Sequence, residues 1–265
     1  MSEKTKELVT MKNVEGFMTL KNFDVGTTIA KEMDGLNVAF DTVKIPIGGV
    51  TMFEMPTDNP EETESVKEFS AVILHHHPMR AYYREAYTGG TNPPDCGSFN
   101  GLLGIGEPGG NCADCLFNEF GTGANGAKAC KERRRLYLLR EGDIFPLILS
   151  LPTGSLKPFS RYLMRCLPRW GASNAGVTRF TLTKAINSGG IVFTKAQFQM
   201  ERKLTEDEFQ LVASLSEQMR ELSRDIPADV KAPDNDPNDA ILLKNSEHIM
   251  MAPEDESQKH VSNVA

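Results

Sequence analysis

The stretch CGSFNGLLGIGEPGGNCADCLFNEFGTGANGAKACKERRRLYLL, residues 96–139, sets the terms of the fold. Up to residue 130 it is crowded with Gly, Asn and turn-forming residues, and the same character reaches back to 88. Such a segment buries little apolar surface, so its order needs another source, and thiolate–metal bonds supply that in small loop-rich modules. Four cysteines lie in it: Cys96, Cys112, Cys115 and Cys130, the middle two forming a CxxC pair. Four thiolates with a central CxxC suit a closed tetrahedral Zn²⁺ site, which leaves no position for water and is structural rather than catalytic. Two alternatives stay open: a mixed set in which His75, His76 or His77 replaces one cysteine, and buried thiols without metal. Consecutive strand residues point to opposite faces, so the three histidines cannot all meet one ion. An iron–sulfur cluster is disfavoured because tight multi-cysteine runs are absent. The fifth cysteine, Cys166, reads as a small buried hydrophobe.

Outward from Cys130 the pattern changes to strands. RRRLYLLREGDIFPLILSLP predicts two of them around a turn near Glu141–Asp143. Residues 152–167 predict a helix with Ser155 as cap and Leu156, Phe159, Leu163 and Leu167 on its inner face. GVTRFTLTKAINSGGIVFTKAQFQM alternates on both sides of Asn187–Gly190 and predicts a hairpin. Thr205 and Glu208 form a Thr-x-x-Glu capping box, opening a helix over 204–224 that carries Phe209, Val212, Leu215, Met219 and Leu222. The Asp-, Pro- and Asn-rich residues 225–265 predict an acidic disordered tail. On the other side, residues 17–75 predict short strands, with 57–68 as an exposed loop or short helix between two of them. RAYYREAY (80–87) predicts a strand or one helical segment, and residues 1–16 a flexible lead. Together these predict a mainly β domain over 17–203, an OB-like Greek-key barrel with the zinc-binding module inserted at 88–130 and a C-terminal helix after it. A sandwich fits the strand count almost as well.

Charge is unevenly spread. The chain has 265 residues and a net charge of −7. Residues 128–203 nevertheless carry 15 basic and 4 acidic groups, whereas 96–127 carry no Lys or Arg and 204–265 carry 5 basic and 14 acidic groups. A net +11 block inside an acidic chain is the footprint expected where a polyanion docks. Aromatic residues interleave with the cations. Arg80, Tyr82, Tyr83, Arg84 and Tyr87 precede the module. Arg133, Arg135, Tyr137, Lys157, Arg161 and Tyr162 follow it, then Arg165, Trp170, Arg179 and Lys184. Cations that track phosphates and rings on which bases stack are the means of holding single strands without sequence readout. The bland alternative is core aromatics and solvated or acid-paired arginines.

Several classes are disfavoured. No apolar run approaches the roughly 20 residues that span a bilayer, and the start MSEKTKELVTMKNVEG has no apolar leader segment. Membrane association is therefore not expected, and an intracellular, cytoplasmic location is. There is no P-loop, no GxSxG, no HExxH and no acidic metal cluster, so no catalytic residues and no enzyme activity are predicted.

The order YYREAY, PPDCGS, GGNCADC, FNEFG, KACKERRRLYLL, LPTGSLKPFSRYL and GVTRFTL, over roughly 70–200, resembles the zinc-containing single-stranded DNA-binding proteins of phages and mobile elements. The resemblance implies a zinc subdomain within an oligonucleotide-binding barrel, with Cys96, Cys112, Cys115 and Cys130 as ligands and a basic, aromatic groove. It implies single-stranded DNA, with RNA as a second candidate, as ligand in replication or recombination, and replication or recombination proteins as partners of the acidic tail. Two other functions fit the sequence: a zinc-ribbon protein-interaction factor of a transcription or replication complex, and a nuclease with a structural zinc.

Overall fold

The computed structural model describes residues 16–17, 24–34, 36, 39–59, 62–85, 94–187 and 190–225. The expected N-terminal lead and acidic tail, and Tyr87, lie outside these residues.

The protein is mainly β. A long strand, β4 (Glu68–Tyr82), is its spine. On one side β4 pairs antiparallel with β8 (Lys131–Leu139), which pairs antiparallel with β9 (Leu147–Leu151), and β9 runs parallel to the short β1 (Thr42–Val43). On its other side the two halves of β4 take different partners. The first half pairs with β10 (Gly176–Ile186), whose hairpin mate is β11 (Val192–Lys203). The second half pairs with β5 (Cys96–Ser98), followed by β6 (Leu103–Gly106) and β7 (Gly110–Asn111). A separate hairpin joins β2 (Phe53–Pro56) and β3 (Thr63–Val66). Among the described residues this sheet is mixed and open, and no closed barrel is found. The two edges approach through a turn rather than a strand pair: Thr194 Oγ1 donates to the Val50 carbonyl at 2.9 Å.

Alternation along the strands gives the sheet two apolar faces, so helices cover both. One face gathers Ile73, Leu136, Leu138, Leu149, Phe180 and Phe198, and helix α2 (Thr153–Trp170) packs on it through Phe159, Tyr162 and Cys166. The other gathers Val72, Leu74, Tyr137 and Leu139 under α1 (Val25–Glu32) and α3 (Glu206–Asp225), with Val25, Ile29, Val212, Leu215 and Met219 pointing in.

The two hairpins of 131–151 and 176–203 and the capping box are found as the sequence predicts. Thr205 N–H donates to Glu208 Oε2 at 2.9 Å and Glu208 N–H returns to Thr205 Oγ1 at 3.3 Å. Other elements differ. Helix α1 stands where strands are predicted, with Asp24 accepting from Thr27 N–H at 2.9 Å as its N-cap. The 57–68 stretch is neither a simple loop nor a helix, because Thr63–Val66 pairs back onto β2. RAYYREAY contributes the end of β4, which stops at Tyr82. Ser155 does not cap α2. The helix begins at Thr153, and Ser155 is fully buried, its Oγ accepting from Ala196 N–H of β11 at 2.9 Å. The inner face of α2 is therefore Ser155, Phe159, Tyr162 and Cys166, with Leu156 and Leu163 at its margin and Leu167 half out. Tyr162 tolerates burial because its hydroxyl meets Thr178. Cys166 is a buried free thiol, as expected.

Candidate functional site

Residues 94–130 fold against the far end of β4. Their small core stacks Tyr82 on Phe117, with ring centroids 4.1 Å apart and planes 12° from parallel, beside Cys96, Ala129 and Cys130. Asn118 is a hub: its Nδ2 donates to the Cys112 carbonyl at 2.8 Å and its Oδ1 accepts from Lys128 Nζ at 3.0 Å and from Arg80. Arg80 also donates to the Gly101 carbonyl at 3.1 Å and lies 3.3 Å from Glu132, so it brackets the segment onto the sheet.

All four cysteines of the segment line one small cavity of about 10 Å³, with Arg80, Tyr82, Gly104 and Asn118 among the other walls. That is room for about one small sphere. None of His75, His76 and His77 lines it. Among the described residues, no three His, Cys, Asp or Glu side chains are gathered in a group that could already hold a metal ion. Burial pushes the Cys130 thiol up to about 12, against an opposing pull from Arg80, and the other three cysteines add to the rise. Burial also raises Cys96, partly offset by a hydrogen bond from Gly109 N–H. The glycines here have work that sequence reading missed. A Cβ on Gly104 would lie 2.9 Å from Cys96 Sγ, and one on Gly106 would lie 2.1 Å from the Asp95 carbonyl oxygen.

The three histidines follow strand alternation. His76 sits edge-on to Phe159 at 5.1 Å on the α2 side, whereas on the other face His75 stacks beside Tyr137 and His77 lies tilted to it. Burial and the nearby Arg134 guanidinium hold His76 down at about 4, and Arg134 Nε donates to its Nδ1 at 3.2 Å.

The predicted nucleic-acid contacts divide sharply. Arg133 and Arg135 are only 4% and 2% exposed. The Arg135 guanidinium lies 5.2 Å from the centre of the Phe99 ring, on the face of β8 that carries Tyr137. Tyr82, Tyr137 and Tyr162 are buried, Tyr83 is half-buried, and Trp170 packs against the core on the α2 side. Arg84 pairs with Glu107 at 2.9 Å and Arg179 with Glu201 at 3.3 Å.

The cations of α2 behave differently. Lys157, Arg161, Arg165 and Arg169 recur every fourth residue, and all four are exposed. Residues at that spacing form one ridge along a helix. α2 contains no Asp or Glu, and among the described residues no carboxylate pairs with any of the four. Beside the ridge, α2 and β11 enclose a hollow of about 460 Å³ lined by Arg161, Met164, Arg165, Lys195, Gln197 and Phe198, among others. Lys184 is exposed on the neighbouring strand. Lys195 and Gln197 were missed from the sequence because they read only as outward positions of a strand. Arg169, which the sequence shows as one more cation beside Trp170, joins the ridge only because the helix runs past 167 to Trp170.

Comparison with family models, with curated proteins and with solved structures returns no match for this chain. Among the described residues, no helix is long and apolar enough to cross a membrane.

Proposed function

We propose that this chain is a non-catalytic single-stranded DNA-binding protein whose 94–130 segment is a zinc-clamped module. The observation that carries the proposal is the α2 ridge: four exposed arginines and lysines, no acid on the helix, and a groove of ligand size beside it. Clefts that hold ligands measure roughly 300–1,000 Å³. An acid-free, unpaired cation row suits a phosphate backbone, because contacts to phosphates carry binding that is independent of base sequence. The likeness to an oligonucleotide-binding barrel rests on motif order in the sequence, and the described sheet is open.

The four thiols fit zinc by number, softness and convergence on one cavity, as a closed tetrahedral site needs four such donors at about 2.3 Å. Ligation requires the side chains to draw in further than they stand, and it deprotonates them, which reverses the upward push of burial on Cys96 and Cys130. Zinc would fix the module against β4 and take no part in any reaction. Metal analysis of the purified chain should give one zinc per molecule.

Anisotropy of a labelled single-stranded oligonucleotide and of its duplex tests the function. Sequence-tolerant binding at low salt, stronger for the single strand, is the expected outcome; no binding at low salt refutes it. A second reading, a protein-interaction factor, is favoured by one feature. Leu102, Leu103, Ile105, Leu116 and Phe120 are all exposed on the module, a clustering of apolar side chains that marks contact surfaces. Failure to bind nucleic acid together with capture of a protein partner through these residues would establish it.

A further inference from the structure

A second hollow lies on the opposite flank of α2. It measures about 450 Å³ and runs between the helix, the β4–β8 pair and the module, with Pro78, Asn100, Leu102, Arg134, Phe159 and Leu163 among its walls. Ser160 lines this hollow and also the one against β11. The two hollows therefore meet across α2 at one small, exposed side chain, between Leu156 and Leu163 on one flank and Arg161 and Met164 on the other.

We infer that a single strand of nucleic acid crosses α2 at Ser160, seating one segment in the module-side hollow and the next in the β11-side hollow. This rests on the single-strand reading proposed above and adds the path. The two ends of the path differ in chemistry. On the β11 side Arg161, Arg165 and Lys195 supply three cations around an opening that includes Met164, which is 70% exposed. Phosphates belong there. On the module side the aliphatic and aromatic walls are joined by three arginines, of which Arg80 pairs with Glu132 at 3.3 Å and Arg133 is buried, so Arg134 is the cation that reaches the opening. Arg134 is half-buried and donates to His76, and no carboxylate pairs with it among the described residues. Glu132, the acid of this hollow, is held by Arg80 at 3.3 Å and by Lys128 at 3.7 Å, so its charge is already met. A base with its flat apolar faces suits that side, because every base offers a π-face and such contacts tolerate any sequence. Ser160 suits the crossing because its short side chain puts little bulk between the two hollows that it lines.

The module thus acts as one wall of the strand's path, through Asn100, Gly101 and Leu102. Arg80 holds that wall in place through the Gly101 carbonyl.

The test is a steric block that leaves charge alone. S160W should weaken binding of a labelled single-stranded 20-mer at least tenfold while the melting temperature stays at the wild-type value. L167W, a similar enlargement at a half-exposed α2 position outside both hollows, should bind as the wild type does. S160D, which adds a negative charge with little bulk, serves if the tryptophan disturbs packing and should also weaken binding at least tenfold. Wild-type affinity in folded S160W and S160D overturns the path and leaves the single-strand reading standing. Absence of binding by the wild-type chain overturns both.

Discussion

Two arginine clusters stand close in sequence and meet opposite fates. Arg133, Arg134 and Arg135 lie in strand β8, whereas Arg161, Arg165 and Arg169 belong to helix α2. By composition the strand cluster is the stronger polyanion signal, three arginines in a row. In the fold Arg133 and Arg135 are buried, and Arg134 turns to the other face and meets His76. The helix cluster is dilute in sequence and continuous in space. The cause is the period of each element. A strand inside a sheet covered on both sides sends its residues into two interiors, whichever face they take. A helix lying on a sheet buries one stripe and leaves the remainder in water. Charge counts find a basic region; the element decides which of its charges a ligand can reach.

Matched substitutions break or sharpen this contrast. The largest expected effect belongs to neither cluster: if zinc clamps the module as proposed, C112S should abolish zinc binding and open 96–130 to limited proteolysis, since a loop-rich segment deprived of a structural metal loses order. Retention of full zinc with unchanged proteolysis would remove the metal from the account. The next effect separates the clusters. R135E places a carboxylate on a buried face beside Phe99 and should lower stability in urea by about 3 kcal/mol or more. R161E makes the same charge change in solvent and should stay within about 0.5 kcal/mol of wild type. Equal losses at the two positions would contradict the contrast.

Smaller effects test the frame that holds the helices. Glu208 is drawn down to about 2, first by the Arg202 hydrogen bonds at 2.9 Å and further by the Thr205 amide. Its carboxylate is thus favoured in the folded chain, and its contribution is present above the ordinary value of 4.5 and lost as pH falls from there toward 2. E208Q should lower stability at pH 7 by about 1–2 kcal/mol, as loss of a capping and charge-assisted bond does, and should flatten the urea midpoint between pH 4.5 and 2. His76 acts higher on the pH scale. Held neutral down to about 4 against 6.5 when unfolded, it gives stability that is whole above 6.5 and falls away between 6.5 and 4. H76F should reduce that acid-side slope, and an unchanged slope would shift the cause to another group.

Local rules made much of this legible. Thr205 and Glu208 announce their helix through a reciprocal hydrogen bond that three residues suffice to encode. The hairpins of β8–β9 and β10–β11 show in alternation and turns, and the four cysteines mark the module without any knowledge of the sheet. What escaped depends on partners distant in sequence. Helix α1 is short, and Gly26, Thr27 and Thr28 argue against it; only Asp24 signals its start. The inner face of α2 turns on Ser155 meeting Ala196 and Tyr162 meeting Thr178, neither visible in the helix itself. The burial of Arg133 and Arg135 follows from the pairing of β8 with β4 and from the layer over it, so three adjacent arginines looked alike until the register set them apart.

The most direct test of the central claim is the salt dependence of single-strand binding by wild type and by R161Q/R165Q. Each phosphate neutralised on a single strand contributes about −0.7 to the slope of log K against log salt, so losing two contacts should flatten the slope by about 1.4. That change, with the urea midpoint of the folded variant unmoved, is the predicted result. A variant that binds with the wild-type slope would contradict the assignment of the α2 ridge as the phosphate-contacting surface.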